Sequence, residues 1–129
     1  MAFIKSFREL EVYKLALQEA RKIFVITKAF PRDEVYSMSS QIRRSSRAVT
    51  AMLAESWARR IYPAAFVSKL NEALGEAMET QAWLDNALNC GYIDSKLHSE
   101  LDNEWQHIGA MLNKMIQKPE GFCQSASKG

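Results

Sequence analysis

The stretch SQIRRSSRAVTAMLAESWARR, Ser40 to Arg60, carries five of the chain's eight arginines and one acid, Glu55. A guanidinium group is permanently charged and presents a planar fork that matches phosphate oxygens. Arg43, Arg44, Arg47, Arg59 and Arg60 are therefore the candidate nucleic-acid-binding residues. Within the stretch only Glu55 is available to neutralise them. The plainer alternative is a solvated, helix-stabilising face, which is what runs of charge usually are. Trp57 and Tyr62 neighbour Arg59 and Arg60, where rings would stack on unpaired bases. Their simpler roles are core for Trp57 and turn for Tyr62.

Other chemistries have less to work with. Glu72, Glu76 and Glu79, spaced four and three apart, share one helix face and suit bridges to arginines of a neighbouring helix or subunit better than acid–base catalysis. Glu104-Trp-Gln-His107 has the Glu-x-x-His spacing of dimetal bundles, but that arrangement needs the motif on two helices. Ser95 stands three residues before His98, the other histidine. No metal or cofactor is expected, and His107 is read as a surface or interface residue. There is no G-x-S-x-G, no glycine-rich phosphate loop and no C-x-x-C around Cys90 or Cys123. No catalytic residue is assigned, and the expectation is a non-enzymatic protein of a reducing cytoplasm.

The formal net charge is only +2, so attraction to a polyanion must come from how charge is distributed. The opening MAFIKSFREL becomes charged at once, and no window approaches the roughly 18 to 20 apolar residues of a membrane span.

Four helical segments must position these residues. In the first, Leu10, Tyr13, Leu17, Ala20, Phe24 and Thr27 recur at spacings of three and four and predict one buried stripe. Pro31 ends that segment, and the second runs from about Asp33 to Arg60, burying Val35, Met38, Ile42, Val49, Leu53 and Trp57. Pro63 opens the third, with Phe66, Leu70, Ala73, Leu74, Ala77, Leu84 and Leu88 inward and Gly91 as its C-terminal cap. Asp94 caps the fourth, which buries Leu97, Leu101, Trp105, Ile108, Leu112 and Met115 and stops at Pro119. Short connections between long helices favour antiparallel neighbours, hence an all-α, up-down-up-down four-helix bundle over residues 1–118, with 119–129 as a flexible C-terminal tail. On the second helix the arginines turn away from the buried stripe. They share the outer side with Ala51, Ala54 and Ala58, which suits a subunit contact as well as a polyanion contact. Val12, Leu15 and Ile26 lie off the main stripe of the first helix and suggest a further contact surface.

The segments FRELEVYKLA, FPRDEVYSM, QIRRS, Ala54-Glu55 and ALGEAMET together resemble small bacterial four-helix-bundle proteins encoded in intervening sequences of large-subunit ribosomal RNA genes. The resemblance runs from Phe7 to about Ile116 and implies a homo-oligomer, a pentameric ring in that family. More distant relatives serve diversity-generating retroelements by binding a reverse transcriptase and its RNA, which implies RNA rather than DNA and a possible protein partner. Thr50, Met52 and Ser56 stand where the family has proline, asparagine and glycine. Without the proline the second helix keeps its hydrogen bonds.

Overall fold

The computed structural model describes residues 4–123, and among them every regular element is helical. A short 3-10 turn over Phe7–Glu9 leads into α1 (Glu11–Thr27). A second turn at Arg32–Glu34 precedes α2 (Met38–Ala58), followed by α3 (Pro63–Asn89), α4 (Ser95–Gln117) and a last turn at Pro119–Gly121. Cross-helix pairs run in opposite senses along each neighbouring pair. Ser45 meets Thr80 while Glu55 meets Lys69, so α2 and α3 are antiparallel. Gln81 meets Gln106 while Asp85 meets His98, which sets α3 against α4. Arg43 reaches Thr27 while Arg47 lies over Phe24, which sets α1 against α2.

The core follows the expected residues closely in α3 and α4. Phe66, Leu70, Leu84, Trp105, Ile108 and Leu112 are fully enclosed. Gly91 has φ 76°, and the amides of Gly91 and Tyr92 return to the carbonyls of Leu88 and Ala87 to close α3 in a Schellman turn. The Asp94 carboxylate accepts from the Leu97 amide at 2.8 Å and starts α4. In α2, Ser39, Ser45, Ser46 and Ser56 are buried. Ser45, Ser46 and Ser56 return their hydroxyl protons to the carbonyl three residues earlier, and Ser45 also meets the Thr80 hydroxyl of α3 at 2.8 Å. Small hydroxyl side chains thus satisfy themselves locally and let α2 and α3 approach closely.

Two expectations are corrected. The buried stripe of α1 is Val12, Ala16, Glu19, Ala20, Ile23 and Thr27, whereas Leu17 is 53% exposed and Tyr13 and Phe24 are half-buried. Val12, Leu15 and Ile26 pack into or against the core and are not a separate contact strip. The reason is Glu19. Its carboxylate is fully enclosed, with the Lys22 ammonium 2.7 Å from Oε2, and a carboxylate at a core position hides the true period. The second correction concerns the start of α2. Ser37 is not helical, so the helix begins at Met38, and Val35 is 49% exposed. Glu34 serves as the cap in place of a first-turn residue. Its Oε1 accepts from the Met38 amide at 3.1 Å, and its Oε2 accepts from the Tyr92 hydroxyl at 2.8 Å.

Of the expected C-terminal tail, residues 119–123 are described, and they fold back onto the bundle. The Phe122 ring stacks on Phe66 with centroids 6.2 Å apart. Residues 124–129 lie outside the described residues.

Candidate nucleic-acid interface

The arginines of α2 divide according to what the neighbouring helices offer them. On the α1 side, Phe24 is half-buried and draws three cations: Lys28 Nζ, Arg43 Cζ and Arg47 Cζ lie 4.6, 4.9 and 5.3 Å from its ring centroid. The negative face of an aromatic ring attracts cations and offsets part of their mutual repulsion. Arg43 is further fixed by Nε donating to Thr27 Oγ1 at 2.7 Å, and Thr27 in turn donates to the Phe24 carbonyl at 3.0 Å. Arg21, one turn earlier on α1, joins Arg47 at a shallow hollow of about 240 Å³ that also includes Leu17, Ala20, Phe24 and Thr50. Among the described residues no carboxylate pairs with Arg21, Lys28, Arg43 or Arg47.

Arg44 faces the other way. Its Nη1 donates to Glu76 Oε1 and Oε2 at 3.1 and 3.2 Å, its Nη2 donates to Glu79, and its Nε donates to Gln41 Oε1 at 3.3 Å. The hydrogen bonds to Glu76 and then Glu79 hold its guanidinium above the ordinary arginine range. Burial pushes the Glu79 carboxyl up, but hydrogen bonds from Trp83 and Arg44 outweigh it and leave that group below its ordinary range. Two carboxylates against one guanidinium make this side of α2 acidic. Glu76 and Glu79 thus take the bridging role expected of them, and Arg44 is withdrawn from the free cations. Glu55 and Glu72 instead share Lys69, at 3.1 and 3.2 Å.

Arg59 and Arg60 form no continuous site with Arg43 and Arg47, since the twelve-residue step from Arg47 to Arg59 spans about 18 Å along the helix axis. Arg60 lies 3.8 Å over the Trp57 ring and donates from Nε to the Trp57 carbonyl at 2.9 Å. Trp57 belongs to the core, with its accessible face covered by Arg60, while Tyr62 is exposed. Arg59 is exposed beside Ala65, Ser68, Lys69 and Glu72. Sequence reasoning confined to α2 missed Lys28, Arg21 and Phe24. The recoverable signal was the run of basic residues at 21, 22 and 28 on a helix that must lie next to α2.

The chain matches the family model described as 23S rRNA-intervening sequence protein over residues 8–114. It is also similar to the solved structure of a Bacteroides thetaiotaomicron VPI-5482 protein of unknown function from the S23 ribosomal protein family. The two share 29% identity and a TM-score of 0.74 over 82% of this chain and 95% of that chain. No curated protein matches.

Proposed function

Because the chain belongs to the 23S rRNA-intervening sequence protein family, we propose that it is a non-enzymatic, homo-oligomeric, cytoplasmic protein that binds nucleic acid, RNA in preference to DNA. The binding surface is the α1/α2 seam, with Arg43 and Arg47 from α2, Arg21 from α1 and Lys28 from the C-terminal cap of α1. Arg44 is outside it, and Arg59 and Arg60 form a separate outlying pair. One observation carries the reading: three cations without a carboxylate partner gather over a single ring, and a fourth, Arg21, lines the hollow beside it. Phe24 and Thr27 hold the α2 guanidinium groups in place before a ligand arrives, so less side-chain freedom is given up on binding. Such contacts grip phosphates without reading bases, so affinity is general across sequences. An oligomer would repeat the cluster and multiply its field. Among the described residues no helix is long and apolar enough to cross a membrane.

The test is the salt dependence of affinity for a single-stranded RNA, followed by fluorescence anisotropy. For every phosphate that a variant no longer neutralises, the log–log slope is expected to shrink by about 0.7. Arg43→Gln with Arg47→Gln therefore lowers both affinity and slope, while Arg44→Gln changes neither. An unchanged slope in the folded double variant would remove this face from consideration.

A second reading is favoured by Leu17 and Val25, each 53% exposed, which flank Arg21 at spacings of four on α1. Apolar groups beside the cations suit a subunit or protein-partner contact, with a reverse transcriptase as one candidate partner from the distant relatives. On that reading Leu17→Lys changes particle mass or abolishes partner binding while RNA affinity stays put.

A further inference from the structure

Away from the cationic seam, α3 and α4 bring three metal-ligating side chains together. His98 Nε2 lies 2.8 Å from Asp85 Oδ1, and one ligand atom each from Asp85, His98 and Asp102 falls within 4.8 Å of the others. His98 and Asp102 are one turn apart on the same face of α4, and Asp85 reaches across from α3. An Asp85–His98 ion pair accounts for one carboxylate. Asp102 adds a second, and among the described residues no lysine or arginine pairs with either. Even a protonated imidazole would leave the cluster with a net negative charge.

We infer that Asp85, His98 and Asp102 form a binding site for a divalent transition-metal ion of the zinc class, tying α3 to α4. A four-coordinate ion with bonds of about 2.0–2.2 Å holds its donors about 3.3–3.6 Å apart, a spacing the cluster reaches by small side-chain rotations. Asp85 supplies that adjustment, because its side chain is 70% exposed, whereas the His98 side chain is only 19% exposed and stays in place. One imidazole with two carboxylates selects zinc, nickel or cobalt over calcium and magnesium, which favour all-oxygen sites. Two carboxylates also cancel the ion's double charge. Gln81 is a positioning residue: its Nε2 donates to Asp102 Oδ1 at 3.1 Å and to Gln106 Oε1 at 3.0 Å, fixing the carboxylate from outside the ligand set. Three protein donors leave a coordination position for water, so the ion is exchangeable. The spacing of residues on α4 alone did not expose this site, because Asp85 comes from the preceding helix.

The full chain, freed of metal by chelation, would be titrated with Zn²⁺ by calorimetry and with Co²⁺ by visible absorption, without RNA. The expected result is one ion per chain, a cobalt spectrum of low-coordinate type, a raised Tm, and no binding of Mg²⁺ or Ca²⁺ at matched concentrations. His98→Ala abolishes the site, and Asp85→Asn, a change at an exposed carboxylate that leaves the fold intact, weakens it at least tenfold. Gln81→Ala weakens it by about tenfold or more by removing the orienting hydrogen bond. His107→Ala leaves it unchanged. Absence of binding by the wild-type chain at micromolar metal, or retention of the ion by His98→Ala, overturns the assignment.

Discussion

Arg44 and Arg47 stand three residues apart on one helix, yet one is neutralised twice over and the other is not neutralised at all. What separates them is partners on other helices: Glu76 and Glu79 on α3 for the first, the Phe24 ring on α1 for the second. The local sequence shows the surplus of arginine but not which guanidinium is spent internally, so only part of the candidate site is legible within α2. Arg44→Gln is expected to cost about 0.5–1 kcal/mol of stability, the scale of a surface ion pair, in urea denaturation while leaving RNA affinity intact. A second residue-scale prediction concerns pH. The hydrogen bond to Glu34, followed by burial, pushes the Tyr92 phenol up to about 12, so its contribution to stability is complete below pH 10.0 and is lost as pH rises from there towards 12. Glu34 shifts the opposite way: the Tyr92 hydrogen bond first and the Met38 amide second hold its carboxyl below 4.5. Its contribution is present above 4.5 and is lost as pH falls through the lowered value. Denaturation midpoints of Tyr92→Phe across pH should show the alkaline loss removed and the acid loss reduced but not abolished, since the Met38 amide remains.

Periodicity located α3 and α4 well because their inward positions are apolar except for Thr80, whose small hydroxyl does not disturb the pattern. It misplaced the face of α1 because Glu19 occupies a core position, and a reader who assigns carboxylates to solvent rotates the helix to accommodate it. It began α2 too early because Asp33 and Glu34 look like first-turn acids, whereas Glu34 acts from outside the helix as its cap. Gly91 was legible for a physical reason, since a helix stopping in a left-handed residue favours glycine. Adding a methyl group there meets nothing within 4 Å, so Gly91→Ala isolates the backbone cost, expected at about 1–2 kcal/mol by chemical denaturation. The Pro119–Gly121 turn escaped composition-based reading because one aromatic in a polar segment is enough to dock it. Phe122→Ala should lower stability by about 2 kcal/mol, less than the 3–5 typical of a fully buried phenylalanine.

For the whole molecule, the leading expectation is assembly. Light scattering coupled to size exclusion should give a mass well above 14.7 kDa at micromolar concentration, and a monomer would refute the homo-oligomer. Leu17→Lys with Val25→Lys should reduce that mass if α1 carries the contact. The enclosed Glu19 has a different consequence, one that concerns time. An interior carboxylate is expensive to keep from water even with Lys22 beside it, and any opening of α1 rehydrates it. Native-state hydrogen exchange should therefore find α1 amides exchanging through partial opening, at lower protection than those of α2 and α3, which enclose no carboxylate. Since Phe24 and Thr27 of α1 meet Arg43 and Arg47 of α2 only when α1 is docked, a polyanion on that seam should slow exchange along α1 before it changes any other helix.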